Sequence, residues 1–313
     1  MRIIRNRFAC MKLKVEKKFA LQGHKGSVYD LLQSGEHSFY SAGSDQLVVQ
    51  WNAEVEEDGI VIAHAADSIY SIHVVKESNH LLIGQGSGGV HVVDLNDQKE
   101  IKLIQLHAAP VFRISSFENY PFIFSLGGDG ILQILNKEYI LLKTVSLSSE
   151  KLRCIAYDEA NHRILVGSGE GVIYVLNAET FAIDERLNAH QEGFGVNAIC
   201  FSPSGETFLT GSRDAHLNIY NTKDLQLIQS LPAHRAAVYD IQFHHSGKYF
   251  ATASRDKTVK IWDADTLEVQ VRIDKENYDG HSYSVNRCIW MNDLLISSGD
   301  DRTIIVNEVT ILK

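Results

Sequence analysis

Serine, histidine and aspartate recur along the chain in sets that resemble the catalytic triad of an acyl-transfer enzyme. In each set a hydroxyl residue stands four positions before an aspartate, and a histidine lies upstream of both. The five sets are His24/Ser41/Asp45, His107/Ser125/Asp129, His190/Thr210/Asp214, His234/Thr252/Asp256 and His281/Ser297/Asp301. An enzyme builds a triad once, at one strained site, so five copies at constant spacing indicate a structural role.

Two further patterns suggest chemistry at first sight. Glycine-rich strings at 84–89, 127–130 and 167–171 resemble phosphate-binding loops, but no helix follows them to supply N-terminal donors. They are predicted to be hairpin turns. The pair His244 and His245 lacks further ligands at metal-binding spacing, so we expect an exposed turn. The sequence therefore predicts no catalytic residue, no metal site and no cofactor.

The elements that position these residues follow a repeat. A histidine ahead of an apolar segment recurs at steps of 40, 43, 83, 44 and 47 residues. The histidines are His24, His64, His107, His190, His234 and His281. The step of 83 hides one more unit, visible in the apolar segments 152–157 and 164–169. Each unit holds four short runs of strand character, so seven blades of four strands are predicted.

Two units carry a tryptophan six residues after the aspartate, which completes the sets of the first and sixth blades with Trp51 and Trp262. Together with Gly23-His24, Gly280-His281 and Trp262-Asp263, these residues resemble the WD-repeat (WD40) β-propeller family over about residues 12 to 313. The resemblance implies an all-β fold, a seven-bladed WD40-type β-propeller with four antiparallel strands per blade. It also implies that the recurring sets are buried hydrogen-bonded networks.

The other blades depart from the pattern. Leu135, Tyr220 and Asn307 replace tryptophan in blades 3, 5 and 7. Blade 2 keeps only His64, with Ile83 and Ser87 at the hydroxyl and aspartate positions. Blade 4 keeps none, because Ser148, Val166 and Glu170 stand there. Blades 2 and 4 are therefore expected to depend on apolar packing.

The N-terminal segment is predicted to close the ring. Residues 12–19 precede Gly23-His24 as outer strands precede the other histidines, and blade 7 otherwise lacks its fourth strand. We expect this segment to cover an open sheet edge of blade 7. The predicted organisation is a flexible N-terminal tail over residues 1–11 and a single propeller domain over residues 12–313.

Composition and charge narrow the function classes. The chain of 313 residues is 44% hydrophobic with a formal charge of −9, which disfavours broad binding to nucleic acid or an anionic membrane. No apolar run approaches the roughly eighteen residues of a membrane span, and no signal peptide is evident. Four isolated cysteines, at positions 10, 154, 200 and 288, are typical of buried thiols in a reducing compartment. A cytoplasmic location is expected.

In the propellers that the chain resembles, partners dock on the face that bears the histidine and aspartate turns. The residues after the first apolar position of each inner strand are Tyr29, Tyr70, Phe112, Arg153, Asn197, Tyr239 and Asn286. The residues before the aspartate include Arg213 and Arg255. The rim is thus predicted to be aromatic on one arc and cationic on another, as in protein-binding hot spots. An alternative with equal support is that the rings pack between blades.

These observations predict a non-enzymatic protein–protein interaction scaffold that binds a partner peptide or loop on the propeller top face. The expected partners are proteins or peptides, with acidic or phosphorylated groups near the arginines. One alternative is a ribonucleoprotein component that reads RNA with the arginines and rings, which the acidic net charge disfavours. Another is an enzyme with a pocket at the channel mouth, for which the sequence offers no single catalytic cluster.

Overall fold

Seven four-stranded antiparallel sheets make up the computed structural model, which describes residues 12–312. Alternating apolar and β-branched residues form the strands, and turns rich in glycine, asparagine and aspartate separate them. Blades 1 to 3 contain β2 (Val28–Gln33), β3 (Ser38–Gly43), β4 (Leu47–Asn52), β5 (Ile60–His64), β6 (Ile69–Val75), β7 (His80–Gln85), β8 (Gly89–Asp94), β9 (Lys99–Gln105), β10 (Val111–Ser116), β11 (Ile123–Gly127), β12 (Ile131–Leu135) and β13 (Leu141–Ser146).

Blades 4 to 6 repeat the same order from the inner to the outer strand. They contain β14 (Leu152–Asp158), β15 (Arg163–Ser168), β16 (Val172–Asn177), β17 (Ile183–Asn188), β18 (Val196–Phe201), β19 (Thr207–Ser212), β20 (His216–Asn221), β21 (Leu227–Pro232), β22 (Val238–Phe243), β23 (Tyr249–Ser254), β24 (Val259–Asp263) and β25 (Val269–Ile273). The one helix among residues 12–312 is α1 (Lys275–Tyr278), a single turn that the sequence did not predict.

Blade 7 combines both ends of the described chain. Its strands are β26 (Val285–Met291), β27 (Leu294–Gly299), β28 (Ile304–Leu312) and, outermost, β1 (Lys12–Leu21). β1 pairs antiparallel with β28 from Lys12 opposite Leu312 to Leu21 opposite Ile304. The strand predicted to close the ring therefore lies where the sequence placed it. The predicted tail lies outside the described residues.

The core lies between neighbouring blades. Each inner strand contacts the inner strands of the blades on either side, and β2 of blade 1 contacts β26 of blade 7. The apolar cluster at this junction joins Phe39 and Trp51 of blade 1 with Ile296 and Val306 of blade 7. Because burial of apolar surface drives folding, the ring is stabilised mainly by these blade-to-blade contacts.

Three cysteines fall within the described residues and none forms a disulfide there. Cys154 and Cys288 are buried and Cys200 is partly buried. Burial raises the pKa of the Cys154 and Cys200 thiols to about 12, which disfavours the reactive thiolate. No helix within residues 12–312 has the length and apolarity to cross a membrane.

Candidate functional site

The recurring polar sets lie at the top face, which we define as the face with the turns entering each inner strand and the turns between second and third strands. In blade 1, His24 Nδ1 donates to Asp45 Oδ2 at 2.8 Å, and His24 Nε2 lies 2.6 Å from Ser41 Oγ. Trp51 Nε1 donates to the same hydroxyl at 2.7 Å. The hydroxyl therefore accepts from tryptophan and donates to histidine, which places the histidine proton on Nδ1.

Blade 6 repeats this geometry and shows why the aspartate is needed. His234 lies 3.0 Å from Asp256 and 2.7 Å from Thr252, to which Trp262 donates at 2.9 Å. Asp256 also accepts from the backbone N–H of Arg235 at 3.0 Å. The carboxylate thus ties two turns whose backbone donors would otherwise lack partners. Burial opposes ionisation of Asp256, but hydrogen bonds from His234 and Arg235 hold the pKa of this carboxyl well below its usual range.

Blades 3, 5 and 7 keep the histidine links without tryptophan. In each of them one ring nitrogen of the histidine lies within 3.0 Å of the aspartate, and the other lies within 3.0 Å of the hydroxyl. In blade 5, Tyr220 donates instead to the carbonyl of Ala189 at 2.8 Å. The structure therefore brings together every residue of the five sets that the sequence proposed. The three sets without tryptophan are His107 with Asp129 and Ser125, His190 with Asp214 and Thr210, and His281 with Asp301 and Ser297.

The assignment of His64 to the network of blade 2 is wrong. His64 is exposed at the end of β5, where it pairs with Leu47 as Pro232 pairs with His216 in blade 5. Ala66, two residues later, therefore takes the place that His234 holds. The connection from β5 to β6 is shorter than the equivalent connection in the other blades. His64 therefore lies close to the start of β6 in sequence, as the network histidines of other blades lie close to their inner strands.

The expectation that blades 2 and 4 depend on apolar packing alone is also wrong. In blade 4, Ser148 and Tyr174 both donate to Glu170 Oε1, at 2.9 and 2.6 Å, so a longer acid bridges the same two turns. In blade 2, His91 lies 2.6 Å from Glu100 and 2.9 Å from Gln85. Both blades carry polar networks that the family pattern does not reveal.

These networks offer no catalytic chemistry. The hydroxyl residues Ser41 and Thr252 have no exposed surface, and their oxygens are committed to histidine and tryptophan. Within the described residues, no group of three or more histidine, cysteine, aspartate or glutamate side chains could hold a metal. His245 is exposed as expected, whereas its neighbour His244 is buried against Trp290.

Seven equivalent side chains meet at the centre of the top face. They border a cavity of about 290 Å³ at the mouth of the channel. They are the residues proposed for the rim: Tyr29, Tyr70, Phe112, Arg153, Asn197, Tyr239 and Asn286. We call this set the mouth ring. Its role in partner binding stays a prediction.

The aromatic arc of the mouth ring is a continuous stack across four blades. Tyr29 and Tyr70 lie parallel with ring centroids 4.9 Å apart, and Tyr70 meets Phe112 edge-on at 5.3 Å. The Arg153 guanidinium lies over Phe112, 4.4 Å from the ring centroid. All four side chains are half-buried. The rings thus pack against each other between blades and also border the cavity. Both alternatives from the sequence, packing between blades and exposure at the rim, describe part of this arrangement.

The two asparagines of the mouth ring are engaged in bonds between blades. Asn197 Nδ2 donates to the Val238 carbonyl at 2.9 Å, and Asn286 Nδ2 donates to the Val28 carbonyl at 3.0 Å. Each side chain therefore links its blade to the inner strand of the next. These contacts indicate a structural role beside the rim position that the sequence assigned.

Four cations line a second cavity of about 430 Å³ between blades 4, 5 and 6. Arg213 and Arg255 are exposed, whereas Lys151 and Arg153 are partly buried. We call these four residues the cationic pocket. The sequence placed Arg153, Arg213 and Arg255 on one arc, and the structure brings them and Lys151 around one space.

The network residues of blades 3, 5 and 7 stand apart from both of these cavities. Ser125 and Ser297 are each 1% exposed and Thr210 has no exposed surface, so a partner cannot reach their hydroxyls. Asp129 is partly buried, and its carboxylate also accepts from the backbone N–H of Ala108 at 3.1 Å. None of these four side chains lines the cavity of the mouth ring or the cationic pocket. They hold the turns in place and do not belong to the candidate binding surface.

Sequence reasoning missed a charge cluster below the mouth, in the channel. Arg287 Nε lies 2.9 Å from Asp30 Oδ1, and Arg287 Nη1 lies 3.3 Å from Asp240 Oδ1. Arg113 reaches the same Asp30 oxygen at 3.6 Å. Burial opposes ionisation, yet the Asp30 and Asp240 carboxylates raise the pKa of Arg287 above its usual value. The available signal was a charged residue at the third position of four inner strands, β2, β10, β22 and β26.

Comparison with known proteins agrees with this architecture. The family model for the WD domain, G-beta repeat, matches residues 15–52, 183–221 and 225–263. Each segment spans the outer strand of one blade and the first three strands of the next, namely β1 to β4, β17 to β20 and β21 to β24.

Curated relatives match most of this chain with a minor part of their own length. The echinoderm microtubule-associated protein-like elp-1 of Caenorhabditis elegans is 23% identical over 70% of this chain and 25% of its own. Human striatin is 23% identical over 74% of this chain and 33% of its own. The 26S proteasome regulatory subunit RPN14 of Saccharomyces cerevisiae is 24% identical over 55% of this chain and 36% of its own.

Among solved structures, the WD40 β-propeller domain of Doa1 superposes with a TM-score of 0.82 at 16% identity. The match covers 94% of this chain and 97% of that domain. At this identity the likeness concerns the fold alone. The matched repeats, the recurring histidine networks and the seven four-stranded blades together show a seven-bladed β-propeller of the WD40 type, in which the family model matches three WD40 repeats.

Proposed function

We propose that this chain is a non-enzymatic interaction scaffold that binds a peptide or loop of a partner protein on its top face. WD40 propellers are in general interaction domains without enzymatic activity, which supports the class of function. Two relatives are named as a regulatory subunit of the 26S proteasome and as microtubule-associated protein-like. Both names describe proteins that work with other proteins.

The observation that carries the proposal is the mouth ring. Partly accessible rings of Tyr29, Tyr70 and Phe112 border a cavity on a face that also holds the cationic pocket. Aromatic and arginine side chains supply much of the binding energy at protein interfaces, because they bury large areas and donate directed hydrogen bonds. A partner segment would place an apolar side chain against the rings and an acidic group towards the cations.

The experiment is affinity capture with the intact protein and two variants in parallel. The top-face variant carries Tyr70→Ala, Phe112→Ala and Arg255→Glu. The matched control carries His245→Ala and Lys248→Glu, which change a ring and a charge in an exposed turn of the opposite face. Circular dichroism melts verify that all three proteins are folded at the capture temperature.

We expect the intact protein and the control to retain the same partners and the top-face variant to lose them. Partners retained equally by all three proteins would contradict top-face binding. Partners lost only from the control would assign the interaction to the opposite face.

A further inference from the structure

The cationic pocket is a basic site on an acidic protein. The chain has a formal charge of −9, yet Lys151, Arg153, Arg213 and Arg255 come from three blades to line one cavity that no carboxylate lines. Four other cavities of the described residues hold both cations and acids, as where Lys17 faces Asp279. Local positive charge of this kind is a feature of anion-binding clefts.

The four cations form no ion pairs within the described part of the chain. No carboxylate oxygen of residues 12–312 lies within 4.0 Å of their nitrogens, so none forms an ion pair there. Arg153 Nε is buried and has no hydrogen-bond acceptor. Burial and the neighbouring charges of Arg153 and Arg213 lower the pKa of Lys151, with Glu150 acting weakly in the opposite sense. An anion in the cavity would relieve this repulsion.

The shape of the pocket favours one chemical class of anion. Stacking on Phe112 holds the Arg153 guanidinium in place, while Arg213 and Arg255 approach from the two following blades. A carboxylate offers two oxygens and one charge, which a single arginine satisfies. A phosphate monoester offers three oxygens and a charge of about −1.5 to −2 near neutral pH, which suits several cations around one point. An extended RNA backbone would need a basic track, but the opposite side of the mouth carries Asp300.

From this arrangement we infer that the cationic pocket binds the phosphate monoester of a phosphorylated serine or threonine in the partner segment. The inference rests on the proposed function, since the same segment would lie across the mouth ring. Phe194, one-third exposed at the edge of the pocket, offers an apolar surface for a residue that flanks the phosphate.

The test uses an array of peptides with a central phosphothreonine in randomised flanks. Matched arrays carry threonine or glutamate at that position, and a single-stranded RNA oligonucleotide serves as a separate probe. The intact protein is compared with Arg213→Gln combined with Arg255→Gln. Arg235→Gln is the control, because Arg235 is an exposed arginine in the same turn region that does not line the pocket.

We expect binding to phosphothreonine at least about tenfold above binding to glutamate, equivalent to about 1.4 kcal/mol. The double variant should lose this preference and Arg235→Gln should keep it. Binding should also strengthen from about pH 5.5 to about pH 7, as the phosphate loses its second proton with a pKa of about 6.

Three results would overturn the inference. Equal binding of glutamate and phosphothreonine would make the pocket a site for acidic peptides. Tighter binding of the RNA oligonucleotide, reduced in the double variant, would assign the pocket to RNA. Absence of any phosphopeptide binding would reject a phosphate site. Partner capture that still depends on Tyr70 and Phe112 would leave the proposed function standing in each case, whereas capture independent of them would reject both.

Discussion

Arg287 Nε lies 2.9 Å from Asp30 Oδ1 and so joins the last blade to the first within the channel. The other Asp30 oxygen accepts from the backbone N–H of Ile72 at 2.9 Å. Asp240 is arranged in the same way, between Arg287 and the backbone N–H of Cys288. One arginine therefore bridges two buried carboxylates that each fix a neighbouring inner strand, and Arg113 adds a second positive charge beside Asp30.

Substitution of Arg287 by methionine should lower the free energy of unfolding by about 3 kcal/mol or more, because it leaves two buried carboxylates short of a partner. Urea unfolding followed by circular dichroism measures the change. Arg272→Met is the control, since Arg272 and Asp274 form a partly exposed pair worth at most about 1 kcal/mol. Equal midpoints for Arg287→Met and the intact protein would show that Arg113 alone suffices at Asp30.

Removal of residues 1–21 should destabilise the ring severely, because it deletes β1, the buried side chains of Phe19 and Leu21, and the whole pairing with β28. An exposed edge of blade 7 should also promote aggregation. Removal of residues 1–10 leaves β1 whole and should change the melting temperature little. Thermal melts with light scattering measure both effects, and coincident melts would contradict closure by β1.

Replacement of Asp256 by alanine should cost about 1 to 3 kcal/mol, because His234 and the N–H of Arg235 lose a buried acceptor. His64→Ala is the matched control and should be neutral, since His64 is exposed. Ser87→Asp should give no gain in stability, because Ala66 stands at the position that the histidine holds in other blades. Chemical unfolding measures all three, and a neutral Asp256→Ala would contradict a structural network.

His73 should make the stability of the protein depend on pH. Its Nε2 accepts from the backbone N–H of Ser116 at 3.1 Å, and burial, assisted by Arg113, lowers its pKa to about 4. The unfolded chain, with a histidine pKa of about 6.5, therefore binds more protons than the folded state below that pH. Stability should fall as the pH decreases from about 6.5 to about 4 and should not fall further on account of this group.

Unfolding of the intact protein and His73→Gln near about pH 7.5 and about pH 5 tests this. The intact protein should lose up to about 2 kcal/mol more than the variant between the two conditions. His107 and His234 also have pKa values lowered by burial, and they contribute the same background to both proteins. Identical pH dependence in the two proteins would exclude His73 as the source.

The propeller was predictable from sequence because the strands, the turns and the residues of the histidine networks recur at nearly the same spacing in most blades. Asp45 and Asp256 each stand four residues after a hydroxyl and six before a tryptophan, so one blade predicts another. The outer strand of blade 7 was predictable from the same register. Where the repeat is broken, local spacing misleads, as with His64, which lies two residues before the position now held by Ala66.

The finer details of the site depend on contacts between blades, which a repeat pattern does not encode. Ser148 and Glu170 did not match the family residues, yet the longer acid spans the gap and restores the link between turns. Asn197 and Asn286 had the right position on the rim, but their amides are used by the next blade. Each of these contacts depends on how far one side chain extends towards a neighbouring turn or blade.

Lys12 pairs with Leu312, so hydrogen bonds hold the outer strand of blade 7 against its third strand. In the other six blades a turn of the chain connects the third strand directly to the outer strand. A short turn that joins these two residues would make blade 7 a hairpin like the rest and would give the chain no topological beginning. The backbone could then be opened in any of the hairpin turns, and circularly permuted proteins with the same seven blades would follow. The position at which the ring closes therefore reflects the connectivity of the chain and not the geometry of the sheets.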